Sequence, residues 1–122
     1  MPCETRPPHV VLVDDDLTFV ETFGALLRHE GYSVEIARTA SDARDCLERQ
    51  TPDVLITDIR LGSPSHNGWQ LAKYARTHQP GVHVVVVTGC ADHLEAEAEY
   101  WSVPVFLKPF DPIGLIDHLR NH

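Results

Sequence analysis

The stretch HVVLVDDDLT, residues 9–18, runs from four consecutive apolar residues directly into three aspartates. A short, almost wholly apolar run rich in valine is typical of a central strand that is buried on both faces of a parallel sheet. The aspartates should repel one another, since two carboxylates about 4 Å apart interact unfavourably by ~4 kcal/mol at an effective dielectric near 20. We therefore expect either a solvated turn or a bound cation where this strand ends.

Four further β-type runs follow along the chain, and helical patterns alternate with them. The runs DVLITD and VHVVVVT are again nearly continuous in apolar residues, whereas SVEIA alternates as an edge strand does, and VPVFL is the last. The alternation predicts a parallel α/β sheet with helices on both faces. Five segments have apolar residues at helical spacing: Phe19, Phe23, Leu26 and Leu27; Ala40, Ala43 and Leu47; Leu71, Ala72 and Ala75; Ala91, Leu94, Ala98 and Trp101; Leu115, Ile116 and Leu119.

Length and composition indicate one acidic globular domain. The chain has 122 residues, 43% of them hydrophobic, a formal charge of -8 and a pI of about 5.3, which argues against non-specific binding to nucleic acid or anionic membranes. No apolar run approaches the ~20 residues that span a bilayer, and MPCETRPPH has no signal-peptide pattern. The three cysteines, without a CxxC pair, favour a reducing compartment, which we take to be the cytoplasm. Cys46 is expected to pack as a small apolar residue.

Polar residues with complementary chemistry stand where the predicted strands end. Asp14 and Asp15 follow the first strand, Asp58 ends the third, Thr88 the fourth and Lys108 the fifth. Parallel strands bring these ends to one edge of the sheet, where α/β proteins bind ligands. Carboxylates suit Mg²⁺, and a hydroxyl and an ammonium suit phosphoryl oxygens, so the set predicts phosphoryl transfer to a carboxylate. Without a cation, crowding should raise the pKa of at least one of the three acids.

In their order and spacing, VVLVDDD, VLITDIRL, VVVVTG and FLKPF resemble the receiver domain of two-component response regulators. The resemblance covers roughly residues 9–121. It implies a flavodoxin-like α/β fold, in which a five-stranded parallel sheet of order 2-1-3-4-5 is doubly wound with five helices. We expect residues 1–8 to form a flexible N-terminal tail and residues 9–122 to form the receiver domain.

The resemblance also implies a function. A receiver takes a phosphoryl group from a sensor histidine kinase or a phosphotransfer protein, and changes conformation to signal to an output protein. It assists its own phosphorylation and dephosphorylation rather than acting as an enzyme on other substrates. By this match Asp58 is the phosphoacceptor, Thr88 the switch hydroxyl and Lys108 the phosphate-binding lysine. The domain itself would bind neither nucleic acid nor membrane.

The same match places a Mg²⁺ site. Asp15 would be a direct ligand, Asp14 would act largely through water, Asp58 would be a further ligand and the backbone carbonyl of Arg60 would complete the protein donors. Asp16 has no counterpart among these roles. Its position instead favours the start of the first helix, where a carboxylate can accept free backbone N–H groups. Thr39 is a candidate N-cap of the second helix, and Gly31 a candidate stop signal for the first.

Some positions depart from the family pattern. Val105 stands where the family usually has the Tyr or Phe of an aromatic switch, and Phe106 comes one residue later, so its side chain should point to the opposite face of the strand. The loop after Asp58 looks about two residues longer than usual before Gly68.

In the family, the fourth helix, fifth strand and fifth helix form the usual output surface, and a homodimer through that face is compatible with the resemblance.

Other interpretations of the same residues remain open. DDDLT also fits the D-x-D-x-T motif of haloacid-dehalogenase-type phosphatases, with Asp14 as nucleophile and Asp16 as general acid. That class needs a further acidic motif at a strand end after its lysine, and Asp58 would have no role in it. A third interpretation is a degenerate receiver that only docks proteins. Separately, His118 and His122 are four residues apart on the last predicted helix and could bind a transition metal.

Overall fold

The computed structural model describes residues 7–59, 67–89, 103–108 and 110–120. These residues form a five-stranded parallel sheet of order β2-β1-β3-β4-β5. The strands are β1 (His9–Val13), β2 (Ser33–Ala37), β3 (Val54–Asp58), β4 (His83–Thr88) and β5 (Val105–Leu107). The helices are α1 (Leu17–His29), α2 (Ala40–Arg49), α3 (Asn67–His78) and α4 (Pro112–Arg120). The predicted fold class and strand order are confirmed.

Four of the five predicted helices are present in the described ranges. The other one, predicted from the spacing of Ala91, Leu94, Ala98 and Trp101, lies outside the described residues and stays a prediction. Residues 1–6 of the predicted tail lie outside them as well. Just before β1, the Pro8 carbonyl accepts a hydrogen bond from the Ser33 amide at 2.9 Å. Among the described residues, no helix combines the length and the apolar character needed to cross a bilayer.

The sheet separates two hydrophobic clusters, which explains why its central strands are continuously apolar. Val11 and Val13 of β1 pack in a cluster with α2 and α3, whereas Val10 and Leu12 pack in the cluster on the other face, with α1 and α4. Side chains of a strand alternate between its two faces, so a strand covered on both faces must be apolar at every position. β2, at the edge, is only partly buried, as its alternating sequence predicts.

The helix ends follow the predicted signals. Asp16 is the N-cap of α1, where its Oδ1 accepts from the Phe19 amide at 3.2 Å. Thr39 is the N-cap of α2, where its Oγ1 accepts from the Asp42 amide at 3.0 Å. Gly31 has φ of 99° after α1, a left-handed conformation that glycine adopts without a Cβ clash.

Two other expectations are met in the core. Val105 packs with the cluster of α2 and α3, whereas Phe106 packs with that of α1 and α4, so the two side chains do lie on opposite faces. Cys46 is 4% exposed inside the first cluster. Burial, reinforced by the nearby Glu35 carboxylate, raises the pKa of the Cys46 thiol to about 11. The thiol therefore stays protonated and acts as a small apolar group.

The N-cap of α2 provides a test of the fold. Replacing Thr39 by Ala removes the acceptor for the Asp42 amide, so the free energy of unfolding should fall by ~1 kcal/mol. Chemical denaturation of wild type and variant measures the difference. Thr39→Ser keeps the hydroxyl and should be close to wild type, as should Ser41→Ala at an exposed position of the same helix. Equal losses in all three variants would contradict the capping role.

Candidate functional site

Strand register brings the predicted site residues to the carboxyl edge of the sheet. Val13 pairs with Thr57, so the residues that follow each of them, Asp14 and Asp58, lie side by side. β3 pairs with β4 so that Asp58 is opposite Val87, one residue before Thr88. The backbone amide of Lys108 donates to the Thr88 carbonyl at 2.8 Å, which fixes the end of β5 against the end of β4.

Lys108 links two of the acids. Its ammonium donates a hydrogen bond to Oδ2 of Asp14 and lies 3.6 Å from Oδ2 of Asp58. Asp14 has no solvent exposure, Asp58 is 8% exposed, and Asp15 is exposed. Nζ of Lys108 also lies 4.4 Å from the centroid of the Phe19 ring, within the range of a cation–π interaction. The lysine is therefore held by one carboxylate and one aromatic face.

The ionisation of this pair is governed by burial. Desolvation is the largest influence on Asp14, and it raises the pKa of that carboxyl above 3.8, although the Lys108 hydrogen bond and the Asp16 amide act to lower it. Crowding by Asp58 is the smallest cause. The predicted rise in the pKa of one of the three acids is confirmed for Asp14, but crowding by Asp58 is only a minor cause of it, because Asp14 is enclosed and its burial dominates.

At Lys108 the effect of burial on the pKa is outweighed by the charged neighbours together. Burial acts to lower the pKa of Lys108, but the hydrogen bond and charge of Asp14, together with Asp58, raise it above 10.5. An ion pair should favour the charged form of both partners, yet only the charged form of Lys108 is favoured here. For Asp14, complete burial outweighs the attraction to the lysine, so its charged form is disfavoured. A carboxyl with a raised folded pKa favours folding below pH ~3.8 and loses that contribution as pH rises through the folded value.

Three acids could hold a cation here. Asp14, Asp15 and Asp58 each offer a carboxylate oxygen, and these oxygens lie within 4.8 Å of one another. Oxygen ligands around Mg²⁺ at ~2.0–2.1 Å stand about 3–4 Å apart, so the group needs only a small contraction or bridging water. Both oxygens of Asp14 already accept hydrogen bonds, from Asp16 and Lys108, which favours contact through water. The donor chemistry fits Mg²⁺.

Five of the six predicted site residues are described, and all five lie at this edge: Asp14, Asp15, Asp58, Thr88 and Lys108. Thr88 is buried at the end of β4. Arg60, predicted to supply a carbonyl, lies outside the described residues. Asp16 is the α1 N-cap, so its side chain is not placed as the general acid that the phosphatase interpretation requires.

Sequence reasoning missed the apolar surroundings of the site. A cavity of about 570 Å³ lies beside Lys108, and α1 and the segment before α4 line it. Its walls include Phe19, Phe23 and Phe110, whose rings pack with centroids 5.6–6.0 Å apart. Three large apolar side chains stay exposed in the described ranges, and all of them belong to segments that border this edge: Leu17, Leu107 and Ile113. The only sequence signal was the concentration of aromatic residues near Lys108.

Comparisons with known proteins agree with this geometry. The sequence profile of the response regulator receiver domain family matches residues 10–120. The alginate biosynthesis transcriptional regulatory protein AlgB of Pseudomonas aeruginosa is 34% identical over 91% of this chain and 24% of its own length. The transcriptional regulatory protein GlrR of Escherichia coli is 35% identical over 90% of this chain and 25% of its own. The chain therefore spans about a quarter of the length of these relatives.

Solved structures are similar over almost the whole chain. A response regulator receiver domain (CheY-like) from Methanospirillum hungatei has a TM-score of 0.86 at 26% identity, covering 94% of this chain and 92% of that one. A signal receiver domain of an HD domain-containing protein from Pseudomonas fluorescens has a TM-score of 0.87 at 27% identity, covering 99% and 90%.

The buried ion pair predicts a pH-dependent defect. Lys108→Met keeps a long apolar stem but leaves the buried Asp14 carboxylate without its cation, so unfolding free energy at pH 7 should fall by about 1–3 kcal/mol. The variant should lose less at pH 5, because the carboxyl of Asp14, whose pKa is raised by burial, carries less unpaired charge there than at pH 7. Denaturation at both pH values, in the absence of divalent ions, measures this. Adding Asp14→Asn should recover part of the loss, and an equal loss at both pH values would contradict the account.

The acidic cluster predicts stabilisation by Mg²⁺. An ion that binds only the folded state and is present at ten times its Kd adds ~1.4 kcal/mol, or roughly 5 °C in Tm. Asp15→Asn removes an exposed cluster oxygen and should abolish most of the shift. Asp16→Asn is the matched control, since asparagine also caps helices and the residue is outside the cluster. Thermal melting at pH 7 measures both, and an unchanged shift in Asp15→Asn would count against this site.

Proposed function

Because the chain belongs to the response regulator receiver domain family, we propose that Asp58 is the residue that accepts the phosphoryl group. Members of this family are phosphoacceptors in two-component systems and interact with histidine kinases or phosphotransfer proteins. The observation that carries the assignment is the position of Asp58 at the end of β3, 3.6 Å from the Lys108 ammonium and beside the Asp14–Lys108 ion pair. Asp58 is also slightly exposed, as an acceptor must be.

The chemistry that follows is transfer to a carboxylate oxygen. An oxygen of Asp58 attacks phosphorus, an acyl phosphate bond forms, and the bond from phosphorus to the donor breaks, with the electron pair leaving on the donor. Lys108 exchanges its contact with Asp58 for a phosphoryl oxygen, where its charge offsets the charge that develops. The hydroxyl of Thr88, at the end of the neighbouring strand, donates to another phosphoryl oxygen.

Mg²⁺ belongs to the same proposal. Asp14, Asp15, Asp58 and the Arg60 carbonyl would hold the ion, which when bound neutralises charge shared by the carboxylates and the phosphoryl oxygens. With Lys108 as the one nearby ammonium among the described residues, three carboxylates leave an excess negative charge. Entry of a further anion would therefore be opposed by Asp14 and Asp15 unless a cation accompanied it. The domain assists its own phosphorylation by supplying these groups.

The phosphodonor and the output protein make different demands. Leu17 and Ile113 are about half exposed and follow the site at the starts of α1 and α4, so we assign the donor protein to this apolar border. Output belongs to another face, which is also the candidate homodimer face. It is formed by β5, α4 (Pro112–Arg120) and the helix that was predicted from Ala91, Leu94, Ala98 and Trp101. Because Val105 replaces the usual aromatic residue there, signal relay must use another side chain.

The buried free thiol of Cys46 suits the reducing cytoplasm.

Labelling with a small phosphodonor tests the acceptor. Incubation with acetyl phosphate and Mg²⁺ should add the mass of one phosphoryl group, and Asp58→Asn should abolish that addition, because the amide is not a nucleophilic carboxylate. Intact-protein mass spectrometry measures it. Asp45→Asn, an exposed carboxylate on α2, is the matched control and should label normally.

Two results would favour the alternatives. Normal labelling of Asp58→Asn together with loss of labelling in Asp14→Asn would indicate the phosphatase-type nucleophile. Absence of labelling in the wild type, with an intact Mg²⁺-dependent Tm shift, would indicate a receiver that only docks proteins.

A further inference from the structure

Two histidines meet at the opposite edge of the sheet from Asp58. His83 begins β4 and His118 lies near the end of α4, 35 residues later in the chain. Their Nε2 atoms are 2.9 Å apart, their ring centroids are 5.1 Å apart and the ring planes differ by 30°. Thr88, at the other end of β4, is about 16 Å away at the usual rise of a strand. The pair is therefore separate from the phosphoryl site.

The chemistry of two imidazole nitrogens in contact is restrictive. Each Nε2 is either a donor or an acceptor, so the pair can share one proton in a hydrogen bond, or both lone pairs can bind one cation. Neutral imidazole is the commonest side-chain ligand of transition metals. The sequence pointed to His118 and His122, but His122 lies outside the described residues, and the fold instead brings His83 to His118.

The spacing of the two rings fits a tetrahedral ion. Metal–nitrogen bonds of ~2.0–2.1 Å place each ring centre about 3.2 Å from the ion. Ring centres 5.1 Å apart then subtend about 105° at the metal, close to the tetrahedral angle that Zn²⁺ prefers. The two Nε2 atoms now point at each other, so binding requires each ring to turn by about 37° about its centre, which moves the nitrogens from 2.9 Å to about 3.3 Å apart.

The surroundings leave room for further ligands. A cavity of about 290 Å³ adjoins the pair and is lined by both histidines together with residues of α3 and the segments before β4 and β5. It can hold several waters, each of which occupies about 30 Å³. The ring of Phe106 contacts His118 edge-on, with centroids 5.8 Å apart, and limits the orientation of that imidazole. Arg76 also lines the cavity, but it is exposed, so its charge is screened by solvent.

We propose that His83 and His118 bind a divalent transition-metal ion, with Zn²⁺ the best fit, and that water completes the coordination. Two protein ligands are fewer than the four of a structural zinc site, so binding is reversible and depends on the free metal concentration. The bound ion links α4 to β4 and stabilises the C-terminal helix on the sheet. Acid should release the ion, because both imidazoles must be deprotonated to bind it.

Titration of the full chain with ZnCl₂ tests this proposal. Isothermal calorimetry at pH 7, with Mg²⁺ saturating the acidic cluster, should detect one Zn²⁺ site in the wild type. His118→Ala and His83→Asn should each weaken binding at least tenfold. His29→Ala removes another exposed histidine and should leave affinity unchanged. Asp58→Asn should also retain the site, so failure of the phosphoacceptor assignment and failure of this one give different results.

Imidazole NMR on the wild type avoids dependence on the variants. Zn²⁺ should shift the ring signals of His83 and His118 before those of the other six histidines, and the shift should be lost near pH 5. The proposal is overturned if these two rings do not respond first. It is equally overturned if affinity is unchanged in His118→Ala, or if His29→Ala or Asp58→Asn abolishes binding.

Discussion

The ion pair between Lys108 and the buried Asp14 is the constraint on which the functional edge depends. Asp14 is enclosed because β1 is covered on both faces, and the cost of burying its charge exceeds what one lysine returns, so its pKa stays above the ordinary value. A buried pair of this kind contributes little net stability but is costly to break. The fold therefore keeps an electrostatic imbalance at the point where the proposed phosphoryl group would be bound.

Lys108 offers a route by which phosphorylation would act on β5. Lys108 is held by its side chain to Asp14 and by its backbone amide to Thr88. If a phosphoryl group on Asp58 draws the ammonium away from Asp14, the end of β5 is strained relative to β4. In this chain the aromatic residue of β5, Phe106, packs with Phe110 on the side of α1 and α4. We therefore expect the conformational change to reach the aromatic cluster beside the 570 Å³ cavity.

Most of the fold and the site could be predicted from local patterns. Continuous apolar runs identified β1, β3 and β4, single residues such as Thr39 and Gly31 marked helix ends, and the parallel topology gathered the strand-terminal acids. Properties that depend on enclosure or on distant residues could not be predicted. The sequence contains three adjacent aspartates, yet only the fold determines that Asp14 is buried, Asp15 exposed and Asp16 a helix cap. Similarly, no periodicity relates His83 to His118.

The two ends of β4 thus have opposite coordination chemistry. The carboxyl end gathers hard oxygen donors that suit Mg²⁺, and the amino end has imidazole nitrogens that suit Zn²⁺. Ligand type separates the two ions, so occupation of one site need not exclude the other. The sites also act on opposite ends of the same segment, since the chain runs from Lys108 directly into α4, which carries His118. A metal that holds α4 against β4 would oppose any shift of that helix that begins at Lys108, so the two sites would be coupled through the position of α4.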